Sequence, residues 1–484
     1  MRDWKLVAAL LGLASCLVMG AAVGGLNILL VVGGTVAGVA FLWLAFSYPV
    51  FFLVAALFVP QLKAYWPLQG LDQKADLTLA MLGGLAVGVA WQLMKYLARI
   101  DKRPRPRFSV LPRWPLLGFA LFAAIVTLSY SYTTGVSYGG SELLRFLGIG
   151  TLMLIAPIVL IRSEQDLRQF VVLFLAAGCV MALQMIVHVN DRQPQPVAGG
   201  GQTTDITRIG AGWLMGMVML LTLYYRPFKR EKYNTAAPWI LVPLFAFALI
   251  ASAARGPIIA LLAVLILNLA LSTKALSKIA VTLLLLAVGG YAAFAVFSHV
   301  DPSKYNEKLA EIESLAQGKA TTGSAAERLT FYRQTLAAIP DHPFWGRGIG
   351  SWPVFYFGTD QRNYPHNLLL LVAFEEGLIG VAALSFFLAG VGVTSVRLVR
   401  KTGVRFAVFP SLVLFSFIVS MFSGDLDDNR IIWYWSGVTL AICAFTANRY
   451  AESLVTRFTF RHRFYPARSS LPALEAHDPY SPAN

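Results

Sequence analysis

Apolar residues run along this chain in long blocks rather than at every second or third position, and polar residues collect between the blocks. The blocks lie at about 6–23, 26–46, 48–60, 76–98, 114–132, 143–161, 168–189, 209–225, 237–252, 257–272, 277–298, 367–396, 406–423 and 431–448. Most are long enough to cross ~30 Å of hydrocarbon as helices rising about 1.5 Å per residue. The pattern predicts an all-α polytopic membrane protein with about 12–14 transmembrane helices. Block 48–60 is the shortest and is bounded by Pro49 and Pro60.

One long interval is not membrane-like. In residues 299–365, Ser324 and Glu327 have the spacing of a capping box. Leu329, Tyr332, Leu336 and Ile339 then share one helix face, and Pro340 ends the run. An earlier helix is predicted over about 303–316, ending near Gly318. Amphipathic helices of this kind lie on a membrane surface and cover a cavity. The chain therefore divides into an N-terminal bundle (1–298), a loop (299–365), C-terminal spans (366–448) and a tail (449–484) that is Pro-, Ser- and Ala-rich from about 466 and largely disordered.

Composition agrees: hydrophobic residues make up 57% of the 484, charged residues only 13%, and mean hydropathy is +0.63. The net charge of +15 changes the picture only through its distribution. Alternate polar segments hold Arg99, Lys102, Arg103, Arg105, Arg107 and Arg113; Arg226, Lys229, Arg230 and Lys232; and Arg397, Arg400, Lys401 and Arg405. The positive-inside rule puts these segments and both termini in the cytoplasm, provided 48–60 counts as a span, and leaves 299–365 outside. The basic excess is then topology and not a nucleic-acid footprint. Cys16, Cys179 and Cys443 sit inside apolar blocks, which argues against a disulfide framework and against a metal site. Leu13-Ala14-Ser15-Cys16 resembles a lipoprotein signal, but the first block reads better as a membrane helix.

Against this topology, several polar residues gather at the outer side. Arg255 lies in the tight hairpin ASAARGPII, Arg208 at the mouth of block 209–225, and Arg145 about a turn inside its block with Glu142 three residues before it. Asp425, Asp427, Asp428 and Arg430 join the last two blocks, and His366 opens block 367–396. Arginines near hydrocarbon are unfavourable by a few kcal/mol each, and an anionic partner offsets that. Their planar donor fork suits phosphate. The plainer reading is snorkelling or local ion pairing, and Arg145 with Glu142 fits it best. Arg208 and Arg255 beside His366 favour a site. Cations around His366 predict a neutral imidazole able to accept a proton, with Asn367 capping the helix below. On a continuous helix Glu375 points opposite to His366 and Glu376 lies about 80° away, so Glu376 is expected in the cavity, or else paired with an arginine to orient helices. Gly346-Arg347-Gly348-Ile349-Gly350 resembles a phosphate loop without a flanking strand and helix, and reads as a turn back to the membrane. No spacing of His, Cys and Asp makes a metal site.

These motifs resemble the bacterial O-antigen ligase and polymerase superfamily, which includes exopolysaccharide polymerases. The matching pieces are AARG at 253–256, the Arg208/Gly210 stretch, the run 327–380 from ERLTFYRQ through GRGIGSW to YPHNLLLLVAFEEGLIG, and GDLDDNR at 424–430. Ala253 and Ala254 stand where polar residues are common in the family. The resemblance implies a metal- and cofactor-independent glycosyltransferase of the bacterial inner membrane, working at the periplasmic face on a glycan carried by undecaprenyl pyrophosphate. It implies His366 as the base, Arg255 and Arg208 (with Arg145) on the pyrophosphate, and Glu376, Asn367, Asp425, Arg430 and Arg328 in support. The acceptor is another glycan, as in a polymerase, or lipid A-core, as in a ligase; the motifs lean slightly to a polymerase. Membrane lipids and other polysaccharide-assembly proteins are expected partners, nucleic acid is not. A lipid-linked glycan flippase is the alternative from another class, and would spread cations along a whole path; a non-enzymatic scaffold leaves the three site residues unexplained.

Overall fold

In the computed structural model, the described residues are 38–63, 76–98, 112–187, 203–252, 254–270 and 324–464, with Ala287 and Tyr291. All regular structure among them is helical. Block 6–23, block 277–298 apart from Ala287 and Tyr291, the helix at 303–316, the Cys16 motif, the charged stretch 99–111 and the tail from 466 lie outside the described residues.

In chain order the helices are α1 (Gly38–Ser47), α2 (Pro49–Leu62), α3 (Leu77–Leu97), α4 (Arg113–Ser129), α5 (Val136–Arg145), α6 (Thr151–Leu160), α7 (Glu164–Val187) and α8 (Thr203–Tyr224). They continue with α9 (Glu231–Ala251), α10 (Arg255–Ala270), α11 (Ser324–Ala338), α12 (Ser351–Phe357), α13 (Leu368–Glu375), α14 (Gly377–Thr402), α15 (Val408–Ser420) and α16 (Arg430–Phe464). Among the described residues seven helices are long and apolar enough to cross a membrane, or eight if α1 and α2, bent by 112°, form one span. Three shorter apolar segments, Ile209–Tyr224, Arg255–Asn268 and Val408–Ser420, join them in the bundle.

The centre of the bundle is the first part of α16. Its segment Arg430–Ala447 is 83% buried, far above the other candidate spans. Trp433, Tyr434 and Trp435 are all fully buried. Trp433 meets Phe119, Phe122, Phe146 and Phe387 from three helices, and the Tyr434 hydroxyl donates to Leu53 O at 3.0 Å. Gly437 allows α6 to approach, because a Cβ there would collide with the Leu154 carbonyl. With lipid tails as apolar as the side chains, such close packing is what holds membrane helices together.

Three blocks differ from the pattern. The weak span 48–60 is α2, about 21 Å long by helical rise, with nine buried residues, Pro49 to Phe58 without Phe51. Block 143–161 starts earlier, at Val136, and is interrupted by a wide π turn at Phe146–Gly150. Block 367–396 is broken: Glu376 ends α13, and Gly377, at φ 69°, starts α14.

That break is stitched by the glycine-rich turn. Arg347 N–H donates to Phe374 O (3.0 Å) and Gly348 N–H to Glu375 O (2.8 Å). Leu378 and Ile379 N–H donate in turn to Pro343 O (2.8 Å) and Phe344 O (3.2 Å). The orphan carbonyls and amides of an interrupted helix thus find partners where water is scarce. A Cβ at Gly346 would strike Glu375 O, and one at Gly377 would strike Phe344 O. The opposite face of the turn rests on residues 129–139: Ile349 N–H donates to Ser129 Oγ (3.1 Å), and Tyr132 and Thr133 hydroxyls donate to Trp345 O and Ile349 O (both 2.6 Å). As expected, GRGIG is a turn; a seven-residue helix, α12, nevertheless follows it.

Candidate functional site

The site is organised on the connection between α15 and α16, residues 421–429. Asp425 shapes it: its Oδ1 accepts Asp428 N–H (2.8 Å), and its carbonyl accepts Asn429 N–H (3.1 Å) and Nδ2 (2.8 Å). Leu426 N–H donates to Glu142 Oε1 at 3.0 Å, so Glu142 is buried against this turn, and Arg145, exposed on the same helix, makes no ion pair with it.

Residues 358–367 lie across that turn as an irregular, non-helical strap. Asp360 accepts Ser137 and Tyr138 N–H at 2.7 and 2.9 Å, capping α5. Arg362 bridges Asp425 Oδ2 (3.0 Å) and Asp428 Oδ1 (2.8 Å). The Tyr138 hydroxyl also donates to Asp425 Oδ2, at 3.0 Å, and Tyr364 OH reaches Asp428 Oδ2 at 3.4 Å. Burial, then Asp425, pushes the Asp428 carboxyl up to about 6, while Arg362 works against the shift. Burial and then Asp428 raise the Tyr364 phenol.

His366 ends the strap. Among the described residues it is the one non-glycine at positive φ, 58°, a conformation unfavourable by about 1–2 kcal/mol for a residue with a Cβ. Its ring stacks on Phe331 at 6.3 Å and 13° and meets the edge of Tyr364 at 4.8 Å. Nδ1 is buried without a hydrogen-bond partner. Burial first, and the Arg328 charge second, push the imidazole down to about 4, so it is neutral at pH 7. A neutral His366 agrees with the sequence reading, but burial is the larger cause, and among the described residues the cation that acts on it is Arg328 rather than Arg255. Asn367 caps α13 by accepting Leu370 N–H at 3.0 Å and donates to Met421 O at 3.4 Å.

The arginine-bearing segments converge on the same turn. Arg255 begins α10, partly buried, and the next residue, Gly256, packs on Phe422 so closely that a Cβ would lie 2.9 Å from Phe422 Cβ. Ser252, beside the two alanines that depart from the family pattern, accepts Ala254 N–H at 3.2 Å and shapes that hairpin. Arg208 lies on α8 with its side chain outside the described residues; its neighbours Ile209 and Gly210 line a cavity of about 40 Å³ with Gln61, Asp428 and Arg430. Arg430 pairs with Asp427 at 3.1 Å.

Glu375 and Glu376 need correction. The helix break removes the continuous 100° progression, and both residues are fully buried at the turn. Glu375 accepts Trp352 N–H (3.2 Å) and Glu376 accepts Ser129 Oγ–H (3.4 Å); each keeps one buried oxygen without a partner. Neither pairs with an arginine among the described residues. Sequence reading also passed over Asp360, Arg362 and Tyr364. Their alternation up to His366 was the available signal, as was the surplus of acids over Arg430 in GDLDDNR, which calls for a cation from elsewhere.

Among the described residues no group of His, Cys, Asp and Glu could hold a metal ion. The arrangement offers a neutral imidazole at the end of a strained, well-held strap, with Arg328 as the cation that acts on it.

Residues 239–385 match the family model described as Wzy_C, O-antigen ligase. The family resemblance of the motifs is thus carried by a segment that includes Arg255, Arg328, His366 and Glu376, and it supports a function of the O-antigen ligase/polymerase type. No curated protein matches the chain.

Proposed function

We propose that this protein transfers a glycan from undecaprenyl pyrophosphate to an acceptor hydroxyl at the periplasmic face of the bacterial inner membrane, joining O-antigen or exopolysaccharide repeat units. The observation that carries the reading is His366: neutral, strained, with an unpartnered Nδ1, at the end of a strap that lies across the 421–429 turn, which α10 and the Gly210 region of α8 also approach.

His366 takes the proton of the acceptor hydroxyl as its oxygen attacks the anomeric carbon. The bond to the pyrophosphate oxygen breaks, and its electron pair leaves with the lipid pyrophosphate. Arg255 and Arg208, with Arg145, hold that developing charge. A single displacement inverts the anomeric centre. A base depressed to about 4 is weak, and Arg328 contributes to the depression. A pyrophosphate bound beside His366 offsets the Arg328 charge and raises the basicity of His366 when donor is present, against the burial that remains the larger cause of its depression. The base then approaches the strength that proton transfer at neutral pH favours.

The second reading is ligation of finished polymer to lipid A-core, favoured by the description of the matching family. Purified protein given undecaprenyl-pyrophosphate repeat units, with and without lipid A-core, separates the two. Ladder growth without core supports polymerisation; a single core-dependent transfer overturns it in favour of ligation. Full glycan output from a His366→Ala variant at normal protein level would overturn catalysis and return the flippase.

A further inference from the structure

We propose that Arg362 is a positioning residue that holds His366 in its left-handed conformation; the proposal rests on reading His366 as the base. The strap leading to His366 is anchored at alternate residues. Asp360 fastens to the α5 amides, Arg362 to Asp425 and Asp428, and Tyr364 to Asp428. The strap is irregular, yet all three anchors fall on α5 and the 421–429 turn, which Tyr138 of α5 also joins through Asp425. His366 follows two residues after Tyr364, and at φ 58° its ring lies between Phe331 and the ring of that anchored tyrosine.

A strained residue persists only where its surroundings over-determine it. Beyond His366 the chain is fixed by the Asn367 cap, and before it Arg362 is the strongest anchor. Its guanidinium is one-third exposed, but it meets a carboxylate, Asp425, whose side chain is 1% exposed. Its Nε donates to Asp425 and its Nη2 lies 2.8 Å from Asp428 as an ion pair, so one rigid planar cation joins two carboxylates of one turn. The same turn lies against Gly256 and Gly210, so the clamp also fixes His366 relative to the segments that carry Arg255 and Arg208. Arg362 lies in neither the base nor the proposed pyrophosphate set.

The test is carbethoxylation by diethyl pyrocarbonate of the full-length protein in lipid nanodiscs, read by mass spectrometry as the rate at His366 relative to exposed His342. We expect slow labelling of His366 in the wild type, at least a fivefold higher ratio in Arg362→Ala, and an intermediate ratio in Arg362→Lys, with Tm shifted by only a few degrees. In the transfer assay Arg362→Ala should lower kcat with little change in donor KM. An unchanged ratio overturns the proposal. So does a rise at every histidine together with a large fall in Tm, which would make Arg362 a general structural residue. The labelling ratio does not depend on turnover: if a His366→Asn variant stays active, the base reading fails while the positioning result stands or falls separately.

Discussion

The Tyr332 hydroxyl lies 3.2 Å from the carbonyl oxygen of His366 and 3.3 Å from that of Met421, so one side chain of α11 ties the candidate base to the turn that organises the site. Tyr332→Phe removes this tie without a change of shape. A net loss of about 1 kcal/mol is expected for the hydrogen bond, with glycan transfer reduced about tenfold. Thermal melting and a transfer assay on the same preparation check it; equal losses in both would point to general unfolding.

Asparagine is the side chain, after glycine, most at home at positive φ. His366→Asn should therefore keep the fold, with Tm within a few degrees, and still lose transfer by at least a hundredfold. Retained activity in membranes with normal protein level would remove His366 from the mechanism.

Protonation of His366 and Asp428 pulls stability in opposite directions. His366 is depressed from 6.5 to about 4, so its contribution is complete above pH 6.5 and is lost as pH falls toward 4. Asp428 is raised from 3.8 to about 6, so its contribution is complete below 3.8 and is lost as pH rises toward 6. Between pH 4 and 6 the two offset each other. His366→Asn should expose the Asp428 slope, stability then falling as pH rises through that window. Denaturant or thermal unfolding at pH 4, 5, 6 and 7 reads the sign directly.

The legible part of this molecule was its apolar architecture. Block 76–98 became α3 nearly residue for residue, and block 237–252 became the apolar part of α9, which starts six residues earlier at Glu231, because hydrocarbon demands long uninterrupted runs. The breaks were not legible. LLLLVAFEEGLIG reads as continuous membrane helix, and its interruption depends on a partner segment, residues 343–348, that satisfies the backbone at the gap. The Asn367 cap and the neutral His366 were legible because polar groups at an apolar boundary are conspicuous. Arg362 was not, sitting in a polar loop where an arginine attracts no notice until Asp425 and Asp428 are placed beneath it.

Gly377→Ala should be among the most damaging single substitutions in the chain. It adds a Cβ at φ 69° that collides with main chain, the Phe344 carbonyl, which cannot rotate away. A loss of at least about 2 kcal/mol is expected, seen as a fall in Tm and in membrane protein level. Gly392→Ala on α14, with nothing near its Cβ position, is the control and should melt like the wild type or slightly higher.

Glu376→Gln should retain activity and lose no stability. The carboxylate is fully buried, has no cation beside it among the described residues, and leaves one oxygen without a partner. Replacing it by a neutral amide of the same shape removes an uncompensated group. An inactive but normally folded variant would give Glu376 a chemical part that its surroundings do not suggest.

The glycine-rich turn grips both of its neighbours largely through main-chain atoms, whereas the strap beside it grips through ionised side chains. In the proposed reaction, charge enters and leaves the site at every turnover, and the ion-paired strap is the stretch that would respond to it. The turn's one charged side chain, Arg347, is paired with Asp341 at 2.8 Å, and its hold on both neighbours is made by main-chain atoms, so that hold does not vary with charge. Rigidity and responsiveness are thus assigned to adjacent stretches of one chain, residues 343–350 and 358–367.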